Sequence, residues 1–491
     1  MTEQRGGALL RTASSPGRAT FLELFFDLVF VFALTRVSQR LINGIDGSVG
    51  AVAADVGRTL LLFLVLWQVW IITTWVTSRY EPERVVIQVV VVGTMFGSLV
   101  LGVTLPRALE ERALPFALAY VAVMLGRPLV IGAALRAHPR RLVPLRLAVW
   151  AAASAPLWVA GALLPGPRLA LWVVAIAVDH LGTFLGWPLP WIGASRTRGW
   201  LVTGEHLAER YQQIFLIALG ESILVIGVTY SGKEFSGEAA AAFAISFLIT
   251  ALLWRIYFYR AGHLLAQALR TAGAPGRLAE SASQTHLFMV LGVLSAAVGY
   301  ELVIAHPYDT ARPSWLVFVV GGPALFLAAR SRFEYEIFGR VSRPRLGGLL
   351  VLALLLPVLA AVPAMFALGA VALVLALVAF ADARRAWRRP LEPSASPIGR
   401  ETLGEAGPRR EPSGGGRAGQ GRQRAAYVRQ RDGGGVVQVG QAGLDPLPHQ
   451  RGHPDAARVG GGADPLVRLQ REPHRPADHR HVGVGGGQLR R

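Results

Sequence analysis

Between residues 21 and 382 the chain is a succession of long apolar runs separated by short connections, most of which carry arginine. Runs of about 20 residues are what an α-helix needs to cross a hydrocarbon core about 30 Å thick. No water pairs with backbone N–H and C=O groups inside that core, so a crossing segment must satisfy them internally, as a helix does. The runs therefore predict an all-α polytopic membrane protein. They fall near 21–42, 54–77, 85–105, 113–135, 143–164, 168–188, 208–230, 238–259, 285–305, 313–330, 346–362 and 364–382, which makes twelve spans. Pro357 and Pro363 interrupt the last continuous stretch, and ten spans remain if that pair does not cross. Composition agrees: 16% of the residues are charged, against about 25% in soluble domains.

The arginines predict the orientation. With the N-terminus in the cytoplasm, the connections on that side carry 23 Lys and Arg residues and the opposite ones carry 5. That asymmetry fits the positive-inside rule with an even number of spans and both termini cytoplasmic. Topology is thus reason enough for the formal charge of +19, and no nucleic-acid partner is expected. The absence of cysteine excludes disulfides, thiolate metal sites and thiol catalysis. Four regions follow: a basic arm at 1–19, a first transmembrane half at 20–200, a second at 201–390 and a tail at 391–491. The tail holds 21 of the 55 glycines, 16 basic residues and one aromatic residue, Tyr427. So little apolar surface does not offset ordering entropy, and the tail reads as disordered.

Ionisable side chains inside the spans are the candidates for function, because charge in hydrocarbon is costly unless it has a partner or a task. Glu23 and Asp27 lie four residues apart in the first span, on one helical face. Arg36 is half a turn away from Asp27, so the partner of Asp27 must come from another helix or from water. The seventh span carries His206, Glu209, Arg210, Gln213 and Glu221. At 3.6 residues per turn, His206, Arg210, Gln213 and Glu221 form one polar stripe reaching mid-membrane. Supporting candidates are Arg127 before Pro128, Asp179, His180, Arg255 and Glu301, with Asp55 and Arg58 expected to pair locally. Asp27 is open to three readings: an ion pair locking helices together, a group that handles a proton or ion, or an interfacial, hydrated acid. Trp67, Trp70, Trp75, Trp254, Tyr257 and Tyr259 read as interfacial anchors.

A slide of 186 residues sets Glu23 on Glu209, and one of 187 sets Trp67 on Trp254 and Trp70 on Tyr257. Each acid-bearing span also opens a set of six, the pattern of a six-plus-six parallel repeat. No phosphate-binding glycine loop, Gly-x-Ser-x-Gly elbow or His-Glu-x-x-His pair occurs, so no enzyme activity and no cofactor or metal are expected.

The run Glu23-Leu-Phe-Phe-Asp27-Leu-Val-Phe-Val-Phe-Ala33 resembles the opening signature of the bacterial low temperature requirement protein A family. His206-Leu-Ala-Glu209-Arg210-Tyr211 with Ala218-Leu-Gly-Glu221-Ser222 is similar to that family's second signature, and Gly299-Tyr-Glu301-Leu-Val-Ile-Ala-His306-Pro307 to a later block. Arg255 departs from the pattern, which has an aromatic residue there. The resemblance covers roughly residues 19–390 and implies a multi-spanning inner-membrane protein linked by name to growth in the cold. Two functions are consistent with these residues. One is a transporter of a small solute or ion that uses intramembrane carboxylates; the other is a structural membrane protein whose acids only pair helices.

Overall fold

The structure, a computed structural model, describes residues 9–11, 17–45, 47–190, 192–194, 204–259, 261–272, 275–388 and 394–398. The expected tail lies outside the described residues apart from 394–398. Every regular element is a helix, and among the described residues there is no strand. The α-helices are α1 (Phe21–Asn43), α2 (Val49–Arg79), α3 (Val85–Thr104), α4 (Ala113–Ala134), α5 (Leu142–Leu163) and α6 (Arg168–Leu185), then α7 (Gly204–Ser231) and α8 (Gly237–Phe258). They continue with α9 (Ala261–Thr271), α10 (Pro275–Ala305), α11 (Pro313–Val319), α12 (Gly321–Phe338), α13 (Arg343–Leu359) and α14 (Ala364–Arg388).

Local chemistry sets the helix ends. Ser48 and Ser236 cap α2 and α8 by accepting from Ala51 N and Ala239 N. The Thr20 N–H donates to Glu23 Oε2 at 2.9 Å, the return half of a capping box. Gly186 (φ 72°) and Gly339 (φ 67°) end α6 and α12 in the left-handed conformation that glycine adopts without penalty. Pro357 lies inside α13 and Pro363 in the turn that follows it, so the apolar stretch breaks into two helices where the prolines predict.

Among the described residues, 10 helical segments are long and apolar enough to cross a membrane. The two other expected spans are α1, with four charged residues, and α13, which is 17 residues long. Large apolar side chains point outward all round, among them Leu28, Phe96, Val228, Leu354 and Phe380. That is the surface a helix bundle presents to hydrocarbon and a liability in water. The chain is therefore a multi-pass membrane protein.

Connections alternate between two ends. At one end Arg40 pairs with Asp55 at 3.2 Å and donates to Pro106 O at 2.7 Å, while Arg168 donates to Leu109 O and Glu110 O. At the same end of the second half, the Ala364 N–H donates to Asp309 O at 2.9 Å. At the other end the Glu81 N–H donates to Leu9 O at 2.9 Å and the Tyr259 hydroxyl to Asp382 O at 2.6 Å. The Arg40–Asp55 bridge replaces the local Asp55–Arg58 pair expected from spacing; Arg40, at the end of α1, brings its guanidinium to the start of α2.

In the first half α1 packs on α3, α2 on α6, and α3, α4, α5 and α6 pack in succession. In the second half α7 packs on α10, α8 on α14, and α10, α12, α13 and α14 pack in succession. Between α8 and α10 lies the eleven-residue α9, which hydropathy did not single out. Its buried Leu265, Ala268 and Leu269 lie along α7, and Arg270 pairs with Glu205. The most enclosed spans are α2 and α10, with 83% and 78% of their apolar windows buried. That corrects the reading of the aromatic residues as anchors. Trp67, Trp70, Trp75 and Tyr257 are buried inside the bundle, and of the tryptophans named only Trp254 is exposed. The rings of Trp67 and Trp70 lie 5.2 Å apart and Trp70 meets Tyr211 at 6.1 Å, so these side chains fill the space between helices.

The tightest helix contact joins α10 to α12. A Cβ on Gly292 would stand 2.7 Å from Phe326 N, and one on Gly322 2.5 Å from Ala296 N, both backbone atoms that cannot rotate away. Close approach through small residues is how membrane helices gain packing energy. Gly322→Val is expected to destabilise the protein by roughly 1–3 kcal/mol through overpacking. Gly369→Ala, where an added Cβ meets nothing within 4 Å, is expected to leave stability unchanged or raise it. Thermal unfolding in detergent separates the two.

Candidate functional site

The polar stripe of α7 faces α1. Three pairs meet at a constant offset of 183 residues: Glu23 with His206, Asp27 with Arg210, and Ser38 with Glu221. A constant positive offset means that α1 and α7 run parallel and in register. The two helices thus carry the expected site residues along one interface, divided between a charged cluster near their N-termini and a separate carboxyl group deeper in.

In the charged cluster, Arg210 Nη1 and Nη2 donate to Asp27 Oδ2 and Oδ1, each at 2.7 Å, a bidentate pair. The Trp70 indole N–H completes Asp27 from α2, at 3.4 Å. Arg210 also donates to Gln213 Oε1 at 2.7 Å. His206 Nε2 lies 2.9 Å from Glu23 Oε1, and its Nδ1 lies 2.9 Å from Ser78 Oγ on α2. Glu23, Asp27, His206 and Arg210 are all buried. Glu209 leaves this face and accepts from the Ala19 N–H at 3.0 Å, tying the segment before α1 to α7. Three helices are stapled together here through groups that all have partners.

Glu221 is different. It lies eleven residues beyond Arg210 on α7, about 16 Å along the helix axis. It is wholly buried, and neither carboxyl oxygen makes a hydrogen bond. The Ser38 hydroxyl of α1 lies beside it. Ser222, the next residue, exchanges a 3.2 Å hydrogen bond with Thr250 of α8, and Tyr300 of α10 lies against Thr250. The half-exposed Glu301, four residues from the end of α10, is the charged group that acts on Glu221. An ionised carboxylate without a partner at this depth costs several kcal/mol, so a proton or a cation has to accompany it.

The supporting residues are dispersed. Asp179 accepts from the Tyr120 hydroxyl at 2.9 Å and from Trp158 Nε1 at 3.2 Å, within the first half. His180 Nδ1 bonds the Ile176 carbonyl at 3.1 Å. Arg127 donates to carbonyls and Thr73, and Arg255 stacks over the Tyr259 ring at 4.4 Å. Spacing in the sequence left three contributors out: Ser38, Thr250 and Tyr300. The offset of 183 that links Glu23 to His206 and Asp27 to Arg210 also leads from Glu221 to Ser38, but that offset becomes visible only in the packed pair. Among the described residues no group of three or more His, Cys, Asp or Glu side chains could hold a metal ion.

A family model described as "Bacterial low temperature requirement A protein (LtrA)" matches residues 18–380. The chain belongs to this family. The match spans both carboxyl sites and every helix from α1 to most of α14. The chain is also 36% identical over 333 residues, 67% of its length and 80% of the relative's, to "Uncharacterized protein RA0937" of Rhizobium meliloti (strain 1021). No solved structure matches.

The bidentate pair of this LtrA-family chain generates a prediction. Asp27→Asn or Arg210→Gln leaves one charge buried without its partner and is expected to cost about 3–5 kcal/mol. The double variant Asp27→Asn/Arg210→Gln is expected to lose far less than the sum of the two. Unfolding of all four proteins in detergent measures the coupling, and additive losses contradict the pairing.

Proposed function

We propose that the protein is a transporter of the bacterial plasma membrane that moves a small solute or ion, with Glu221 as the group that gains and loses a proton or cation during the cycle. The observation that carries this reading is the buried, unbonded carboxyl group of Glu221 beside Ser38. A helix-pairing acid has its partner in place, as Asp27 does in Arg210. Glu221 has none, so its charge balance is left to something that comes and goes. Glu301 acts on this carboxyl from near the end of α10, and the Glu23–His206–Asp27–Arg210 cluster lies about 16 Å the other way along α1 and α7, beyond buried apolar side chains such as Leu34 and Ile214.

We read twelve spans with both ends in the cytoplasm, arranged as two parallel sets of six. Three observations support that arrangement. Helices at corresponding places in each set have corresponding neighbours. The parallel course of α1 and α7 requires an even number of crossings between their starts. Arg127 of α4 donates to Val69 O and Arg330 of α12 to Ile256 O, and these carbonyls are 187 residues apart, the offset that aligns Trp70 with Tyr257. The two arginines are 203 residues apart, sixteen more, which matches the insertion of α9 and its connections.

The contrasting function, a structural membrane protein, is favoured by the sealed cluster around Asp27. Reconstitution separates the two. Wild-type protein in proteoliposomes is expected to couple flux of a small solute or cation to an imposed proton gradient. Glu221→Gln is expected to abolish that flux while unfolding at the wild-type temperature. Flux that is absent, or unchanged in Glu221→Gln, leaves the structural reading. Orientation has its own test, since the chain contains no cysteine. A single cysteine replacing Glu81 is expected to react with an impermeant thiol reagent only from the cytoplasmic side, and one replacing Glu110 only from outside.

A further inference from the structure

Glu221 lies closer to one end of the bundle than to the other. Its α1 neighbour Ser38 is five residues, about 8 Å, from the end of α1 at Asn43. Glu301 is four residues, about 6 Å, from the end of α10 at Ala305, and it is half-exposed. Both helix ends belong to the side where Arg40 pairs with Asp55, which is the outer side when the N-terminus is cytoplasmic. Toward the cytoplasm, Leu34 of α1 and Ile214 and Ala218 of α7 are fully buried, and the Asp27–Arg210 and Glu23–His206 pairs stand beyond them.

The helices packed on α7 bring little charge to this place. From α1 comes Ser38; Arg40, two residues on, is held by Asp55 and the Pro106 carbonyl. From α8 comes Thr250, and from α10 Tyr300 and Glu301. The contacts of α2 and α9 with α7, through Ser78, Trp70 and Arg270, are at its cytoplasmic end. Among the described residues, Glu301 is the charged group that acts on Glu221, and no cation does. The oxygens are also too few for a metal ion. Hard metal cations take about six to eight oxygen ligands, and this carboxyl group has one hydroxyl beside it. The next hydroxyls are committed: Ser222 Oγ donates to Leu219 O at 2.8 Å and Thr250 Oγ1 to Ser246 O at 3.2 Å, and the two bond each other at 3.2 Å. Backbone carbonyls along these helices are bonded within them. A proton needs a single acceptor, and the Ser38 hydroxyl oxygen, wholly buried, has no hydrogen-bond partner among the described residues. A protonated Glu221 is neutral, which removes the cost of burying a carboxylate.

We propose that the particle carried by Glu221 is a proton, and that it exchanges with the outer face of the membrane through Glu301. Glu301 meets the outer solution first and passes the proton to the Glu221 carboxylate, where the Ser38 oxygen accepts from the resulting O–H. This names the ion of the transport reading and rests on that reading for its purpose, but the exchange itself is measurable without any flux.

Infrared spectroscopy of the full chain in phosphatidylcholine nanodiscs tests it. At neutral pH a protonated-carboxyl C=O band is expected in the wild type and missing from Glu221→Gln. Replacing choline chloride with sodium or calcium chloride should leave that band in place. If Glu221→Gln fails to fold, Glu221→Asp, whose shorter acid moves the band, assigns it. After transfer to D2O the deuterium shift of the band is expected to be at least tenfold slower in Glu301→Gln than in the wild type, and restored in Glu301→Asp. A packing role for Glu301 leaves that rate alone. A band abolished by sodium or calcium overturns the proposal in favour of a metal cation. No Glu221 band at neutral pH, or an exchange rate that Glu301→Gln does not change, overturns it as well. The transport reading fails separately: band and exchange as expected with no flux in proteoliposomes remove the transporter and keep the proton site, whereas flux driven by a sodium gradient with no band does the reverse.

Discussion

Asp27 and Arg210 are buried between α1 and α7 near the N-termini of both helices, and each is there only because the other is. Two 2.7 Å hydrogen bonds join them across α1 and α7, and Trp70 of α2 closes the remaining side. A buried ion pair contributes little net stability compared with apolar side chains of the same size. What it contributes here is register. A slip by one helical residue separates both Asp27 from Arg210 and Glu23 from His206, so two strong pairs fix one alignment. Ser38 is brought against Glu221 as a consequence of that same alignment.

Seen this way, the intramembrane polar residues divide by whether their partners are inside the protein. Glu23, Asp27, His206, Arg210, Glu334, Arg345 and Asp382 are paired with one another. Asp179 is held by a tyrosine hydroxyl and an indole N–H. Glu221, Arg127 and Arg330 make no ion pair among the described residues, and they lie in different places: the acid at the interface of α1 and α7, the arginines against backbone carbonyls of α2 and α8. Membership of the LtrA family extends over both places.

Much of the fold was legible because hydrocarbon leaves the backbone a single solution. Span positions followed roughly from run length, and Pro363 separated α13 from α14 as proline chemistry requires. The candidate site was legible in part. Helical spacing put His206, Arg210 and Glu221 on one face, but spacing within one helix is blind to the helix opposite, and Ser38 went unnoticed. The aromatic residues misled for a related reason. Trp67 and Trp70 lie in a run that reads as lipid-facing, yet α2 is enclosed on nearly all sides, and hydropathy has the same value whether the neighbour is lipid or protein. Asp55 went to Arg40 and not to Arg58 because long side chains at helix ends choose among all the ends that meet there.

By itself, then, the sequence determined that this is a helical membrane protein, roughly where its apolar spans lie, its family, and which few ionisable residues must be accounted for. Those are properties of single segments, set by the cost of unpaired backbone and charge in hydrocarbon. Tertiary structure alone decided which of those charges are satisfied, because satisfaction depends on what a second helix places within about 3 Å. The same decision divides the acids that staple the bundle from Glu221, which it leaves in no ion pair among the described residues.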